Sequence, residues 1–127
     1  MGLSFHIRTF WPGALTIVVP KQPTIPLEVS VTPTVAVRIP ALDLARALMR
    51  LTGPLAVTSA NRSSGPNPRT ASEVQAQLGG RIDAILDGGT TPGGVPSTVL
   101  DCTQSTPVIL REGAWADRVR DFLRGAL

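Results

Sequence analysis

The chain has 127 residues, 43% of them hydrophobic and 17% charged. That composition supports a packed core and excludes the low-hydrophobicity, high-charge pattern of a disordered polymer. The formal net charge is +3 and Lys21 is the only lysine, so the basic character is carried by arginine, whose planar fork matches carboxylates and phosphates. One cysteine, one histidine and no tyrosine exclude an internal disulfide, a Cys/His metal cluster and the tyrosine platforms on which single-stranded bases stack.

Residues 1–8 have no apolar leader region and no cleavage-site pattern. No apolar run approaches the roughly 18 residues of a membrane span. A cytoplasmic protein without a membrane segment is therefore expected. His6 stands alone and receives no role. The apolar run at 14–19, set between Pro12-Gly13 and Pro20, predicts a buried strand. Pro23, Pro26 and Pro33 make 21–33 a loop. Residues 34–39 predict a second strand, stopped by Pro40. A helix is expected over 41–51, because Ala41, Leu44, Ala45, Leu48 and Leu51 recur on one face, and Gly53-Pro54 ends it. A third strand is expected at 55–58, followed by the polar loop 59–69.

Thr70-Ala71-Ser72-Glu73 is a capping box and predicts a helix continuing to Leu78. Further strands are expected at 82–86, 98–101 and 108–110, with a glycine-rich loop at 87–96. The last helix is expected over 115–127, with Trp115, Val119, Phe122 and Ala126 on one face. Cys102 follows a strand and reads as a small buried hydrophobe. Strands and helices alternate without repeats. The expected fold is α/β (α+β), a twisted mixed sheet flanked by helices in a single domain across 1–127.

Three sets of residues have the chemistry of a site. Ser59 and Asn61, two apart after the third expected strand, offer uncharged donors and acceptors for a phosphate. The amides of Ser63-Ser64-Gly65 could form an anion-binding nest, although Ser and Asn are also ordinary turn formers. The loop from Gly88 to Ser97 has glycines that allow close backbone approach, but it has no Gly-Lys-Ser/Thr and opens no helix, so it is neither a P-loop nor a dinucleotide fingerprint. Arg38 and Arg111 each end an apolar strand. An arginine there needs a partner, either a carboxylate such as Asp87 or Asp101 or an anionic ligand.

Five segments then follow one another along the chain: Phe10-Trp11-Pro12-Gly13-Ala14-Leu15-Thr16, Val35-Ala36-Val37-Arg38-Ile39-Pro40, Gly53-Pro54-Leu55-Ala56-Val57-Thr58-Ser59-Ala60-Asn61, Asp87-Gly88-Gly89 with Ser97-Thr98-Val99-Leu100-Asp101, and Ile109-Leu110-Arg111-Glu112-Gly113. In that order they resemble the FWPGPLT, VAVRxP, GPLAxxSAN, DGG…STVVD and ILRPG segments of the YrdC-like domain family. Ala14 and Glu112 stand where the family has proline.

The resemblance implies a sheet and flanking helices around a concave, positively charged cavity. It implies that L-threonine, bicarbonate and ATP are converted to threonylcarbamoyl-AMP and pyrophosphate for tRNA modification. By the same resemblance Ser59 and Asn61 are catalytic. Thr34, Ser59, Asn67 and Arg111 bind ATP, and Arg38, Val57 and Ser97 bind threonine, with Ser59, Ser97, Arg38 and Arg111 converging on one cavity. Mg²⁺ is expected with ATP as substrate, with no resident metal and no tightly bound cofactor. A threonylcarbamoyl-transferase complex is the expected downstream partner, and tRNA or double-stranded RNA a direct one.

The family's Lys-x-Arg and its first threonine-binding hydroxyl lie upstream of the FWPG segment. Here nine residues precede Phe10, and Lys21 is followed by Gln22 and Pro23. The chain is therefore expected to be a YrdC-like domain incomplete at its N-terminus, without turnover by itself. Two other readings are a YrdC-like module of a hydrogenase-maturation carbamoyltransferase and a non-catalytic RNA-binding remnant, which salt-dependent RNA binding would favour.

Overall fold

A computed structural model describes residues 7–92 and 94–126; His6, Gly93, Leu127 and the side chain of Ala126 lie outside the described residues. In chain order, a 3₁₀ turn at Ile7–Thr9 leads to β1 (Leu15–Pro20), β2 (Thr34–Val37), α1 (Asp43–Thr52), α2 (Ala71–Leu78), β3 (Thr98–Asp101), β4 (Val108–Arg111) and α3 (Ala116–Ala126). Two compact units divide the chain: Met1–Gly53 with Val95–Leu127, and Pro54–Gly94.

The first unit holds a four-stranded sheet in the order β2-β1-β3-β4. β1 runs antiparallel to β2 and parallel to β3, and β3 runs antiparallel to β4. A parallel pair needs a long connection, and the chain between β1 and β3 supplies it with β2, α1 and the whole second unit. Side chains alternate across a strand, so one face of β1 presents Leu15 and Ile17, both buried. Leu100 of β3 joins them opposite Ile17. Phe10 and Val119 of α3 complete the buried cluster, with Trp115, Phe122, Leu123 and Cys102 packed against it. The Phe10 and Phe122 rings meet edge to face with centroids 5.4 Å apart. Cys102 thus packs against the core, as its position after a strand suggests.

Close approach decides two glycines. A Cβ on Gly13 would stand 2.1 Å from Cη2 of Trp115, and one on Gly113 would stand 2.3 Å from the Pro96 carbonyl oxygen. The second contact locks the end of β4 beside the start of β3, where Ser97 bridges to Ala114.

In the second unit α2 starts at the expected capping box. Thr70 Oγ1 accepts from Glu73 N–H at 3.2 Å, and the Glu73 carboxylate accepts from Arg69 N–H. The helix ends where Gly79 N–H donates to the Gln75 carbonyl.

Two expected strands are corrected. Residues 55–58 and 82–86 are not strands. Both are short apolar runs, and such a run becomes a strand only where a neighbour pairs its backbone; among the described residues neither has one. The apolar stripe of α1 does form a helix, but none of its residues is buried, and Leu51 is 88% exposed. Periodicity builds the stripe; it does not supply what covers it. Finally, neither Arg38 nor Arg111 meets a carboxylate among the described residues.

Candidate functional site

The sheet face turned away from the core gathers one set of the expected residues. Thr16 and Val18 alternate with the buried residues of β1, and the register places Ala36 opposite Val18 and Thr34 opposite Pro20. Across β3 the same face presents Val99, opposite Arg111. Strand directions put Arg38, Thr16, Ser97 and Arg111 at one end of the sheet, because β1 and β3 begin there while β2 and β4 finish there.

The side chains at that end are held by specific bonds. Ser97 is buried, and its hydroxyl lies 2.8 Å from Thr16 Oγ1. Arg111 donates from Nη2 to the Ser97 carbonyl at 2.9 Å and to its hydroxyl at 3.3 Å, and from Nε to the same carbonyl at 3.2 Å. Arg38 Nε donates to the Gly13 carbonyl at 2.8 Å. Burial first, and the Arg111 charge second, pull the Arg38 guanidinium below its usual range. Two guanidinium groups close enough to repel, neither paired with a carboxylate among the described residues, favour an anion between or beside them. The carboxylates proposed as alternative partners are engaged locally. Asp101 accepts from Thr103 N–H and Oγ1–H, which holds its carboxyl below the usual range. Asp87 accepts from Gly89 N–H.

Thr34 stands apart from this set. It lies at the far end of β2, four residues from Arg38, or about 13 Å of strand. Its carbonyl accepts from the Ser30 hydroxyl at 2.8 Å, and its own hydroxyl lies 3.2 Å from that of Thr32. Lys21 Nζ closes the same loop by donating to the Ser30 carbonyl at 2.5 Å.

The second unit carries Val57, Ser59, Asn61 and Asn67. No strand runs into Ser59 through residues 55–58, so the alternation expected to align it with Asn61 does not operate. Val57, Ser59 and Asn67 are exposed. Asn61 turns inward, and its Nδ2 donates to the carbonyls of Arg62 at 2.9 Å and Gly65 at 3.0 Å. Its Oδ1 is buried without a hydrogen-bond partner. The nest expected from Ser63-Ser64-Gly65 is altered, because Gly65 N–H donates to the Arg62 carbonyl at 2.7 Å. The glycine-rich loop is tied down as well: Thr91 N–H and Oγ1 both donate to the Arg69 carbonyl.

Two polar residues in these arrangements receive no role from the sequence, although Thr16 ends the FWPG-like segment. Thr16 was accessible in principle, since strict alternation from Leu15 and Ile17 puts it on the opposite face. Gln77 of α2, which bonds to the loop after Asn61, carries no sequence signal, because glutamine is ordinary in a helix.

Comparison with known proteins gives a consistent answer. The family model Sua5_yciO_yrdC, described as telomere recombination, matches residues 4–113. The chain is 47% identical over 110 residues to a threonylcarbamoyl-AMP synthase of Bacillus subtilis and 45% identical over 108 residues to one of Pyrococcus abyssi. Each match covers 84% of this chain and 32% of the relative, so the chain spans about a third of the length of these relatives. Among solved structures, P. abyssi Sua5 complexed with L-threonine superposes with a TM-score of 0.88 at 40% identity, covering 98% of this chain and 37% of that one. E. coli YciO superposes with a TM-score of 0.72 at 30% identity, covering 81% and 52%.

Proposed function

The chain belongs to the Sua5/YciO/YrdC family, and from that premise we propose that it serves the synthesis of threonylcarbamoyl-AMP and pyrophosphate from L-threonine, bicarbonate and ATP, a nucleotidyl transfer that feeds tRNA threonylcarbamoyladenosine modification. The observation that carries this reading is the pair of arginines, Arg38 and Arg111, flanking Ser97 at one end of the sheet with no carboxylate paired to either among the described residues. Two relatives are named for this activity, and one solved neighbour holds L-threonine. The family match takes in all of the second unit and the first unit as far as Gly113, and we assign both to one domain.

In this reading Arg38 takes the threonine carboxylate, while Ser97 and Val57 complete the threonine contacts. Arg111, Thr34, Ser59 and Asn67 hold the nucleotide, and Asn61 acts with Ser59 at the reacting phosphate through the turn that its amide closes. The α-phosphate is attacked as pyrophosphate leaves. Positioned cations and donors stabilise the charge that develops there. Arg111, already fixed by three bonds to Ser97, needs little reorganisation to do so. Mg²⁺ enters with the ATP phosphates. A threonylcarbamoyl-transferase complex takes the product to tRNA, and we assign the reaction to the cytoplasm. Every curated relative named above is a threonylcarbamoyl-AMP synthase, which favours this reading over a hydrogenase-maturation module.

Binding titrations test it. Charged hydrogen bonds contribute about 1.5–3 kcal/mol each. Arg38→Ala is therefore expected to weaken L-threonine binding roughly tenfold to a hundredfold, and Arg111→Ala to weaken ATP binding by a similar factor. No pyrophosphate release is expected from the 127 residues by themselves, because they contain no Lys-x-Arg. L-threonine and ATP affinities that survive both substitutions would sink the assignment.

A further inference from the structure

We propose that Gln77, in the last turn of α2, is a positioning residue that presets the loop bearing Ser59, Asn61 and Asn67 for ATP. The inference rests on the reading above, in which that loop contacts the nucleotide. Gln77 uses both ends of its amide and its own backbone. Oε1 accepts from Arg62 N–H at 3.1 Å, Nε2 donates to the Pro66 carbonyl at 2.9 Å, and the Gln77 carbonyl accepts from Arg62 Nε at 2.9 Å. These bonds grip the turn at both ends, one residue after Asn61 and one residue before Asn67. Asn61 closes the turn from inside through the carbonyls of Arg62 and Gly65. Gly65 lies directly against the clamp, since a Cβ there would stand 2.7 Å from Gln77 Oε1. Ser64 completes the turn with a left-handed φ of 63°.

The physical consequence is preorganisation. Ordering a free loop at the moment of binding opposes affinity, and a loop already held in its bound shape avoids that cost. A glutamine suits the task because its amide supplies one acceptor and two donors on a single planar group. Apart from Arg62, the groups it holds are backbone, so the device depends little on which side chains the loop carries. Nothing in it touches ATP. Its effect reaches the ligand through Ser59 and Asn67, which the clamp leaves exposed.

The test compares two ligands on the 127-residue chain. Titrating ATP and L-threonine separately against Gln77→Ala is expected to show ATP affinity falling about tenfold with L-threonine affinity unchanged, because Arg38 and Ser97 stand on the sheet and Val57 precedes the clamped turn. Gln77→Glu keeps the acceptor for Arg62 N–H and loses the donor to Pro66. Its ATP affinity should fall between the two, with the Arg62 amide still protected from hydrogen exchange. Equal weakening of both ligands would show general loss of structure and overturn the proposal, as would unchanged ATP affinity in Gln77→Ala when Ser59→Ala has lowered it. ATP affinity unmoved by Ser59→Ala would instead overturn the assignment of this loop to the nucleotide.

Discussion

Cys102 shows how one residue's surroundings set its chemistry. Its thiol packs against the core cluster beside β3, and burial first, with the Asp101 charge second, pushes it above the usual range. The thiolate is the reactive form, so alkylation by iodoacetamide at pH 8 should be slower than for a free thiol and should speed up in denaturant. The sign for stability follows from linkage. A group whose pKa rises on folding adds stability that is fully present below its unfolded value, about 8.5 for cysteine. That contribution is lost as pH climbs past this point, so the urea midpoint should hold to about pH 8 and decline above it. Cys102→Ala should flatten the decline. At Arg38 and Arg111 the sequence shows only that each ends an apolar strand; that both go without a carboxylate partner among the described residues depends on groups many residues away.

At the scale of elements, α2 and α1 make a contrast. The capping box around Thr70 and Glu73 is local chemistry, and the helix begins where those residues put it. Thr70→Ala removes the acceptor for Glu73 N–H and should cost about 1 kcal/mol, read as a loss of amide protection confined to the start of α2. β1 is equally local, since its alternation alone selects Leu15 and Ile17 for the core and Thr16 for the other face. The runs at 55–58 and 82–86 have the same apolar character and no pairing among the described residues. A strand is a relation between two segments, and composition describes only one of them.

For the molecule as a whole, the stripe of α1 matters most. Leu44 and Leu48 are each 39% exposed and Leu51 88%, and their three- and four-residue spacing sets them on one helix face, the arrangement that marks an apolar patch rather than scattered single residues. The native chain should therefore enhance 8-anilinonaphthalene-1-sulfonate fluorescence. Leu48→Gln with Leu51→Gln should reduce that signal without loss of helix content, since glutamine keeps good helix propensity. Unchanged fluorescence would place the dye, and the accessible apolar surface, elsewhere. No helix among the described residues is long and apolar enough to cross a membrane.

The chain's local patterns determined by themselves the alternation of β1, the capping of α2, the amphipathic character of α1 and α3, and, through five ordered motifs, the family. These depend on residues a few positions apart, where steric and hydrogen-bond rules act directly. Only the tertiary structure decided which strands exist, because pairing requires a neighbour brought from elsewhere in the chain. It also decided that β2 and β4 deliver Arg38 and Arg111 to the end of the sheet where β1 and β3 begin. The clamp from Gln77 to Arg62 and Pro66 belongs with these: it joins two segments through an ordinary side chain, and its meaning lies wholly in what it touches.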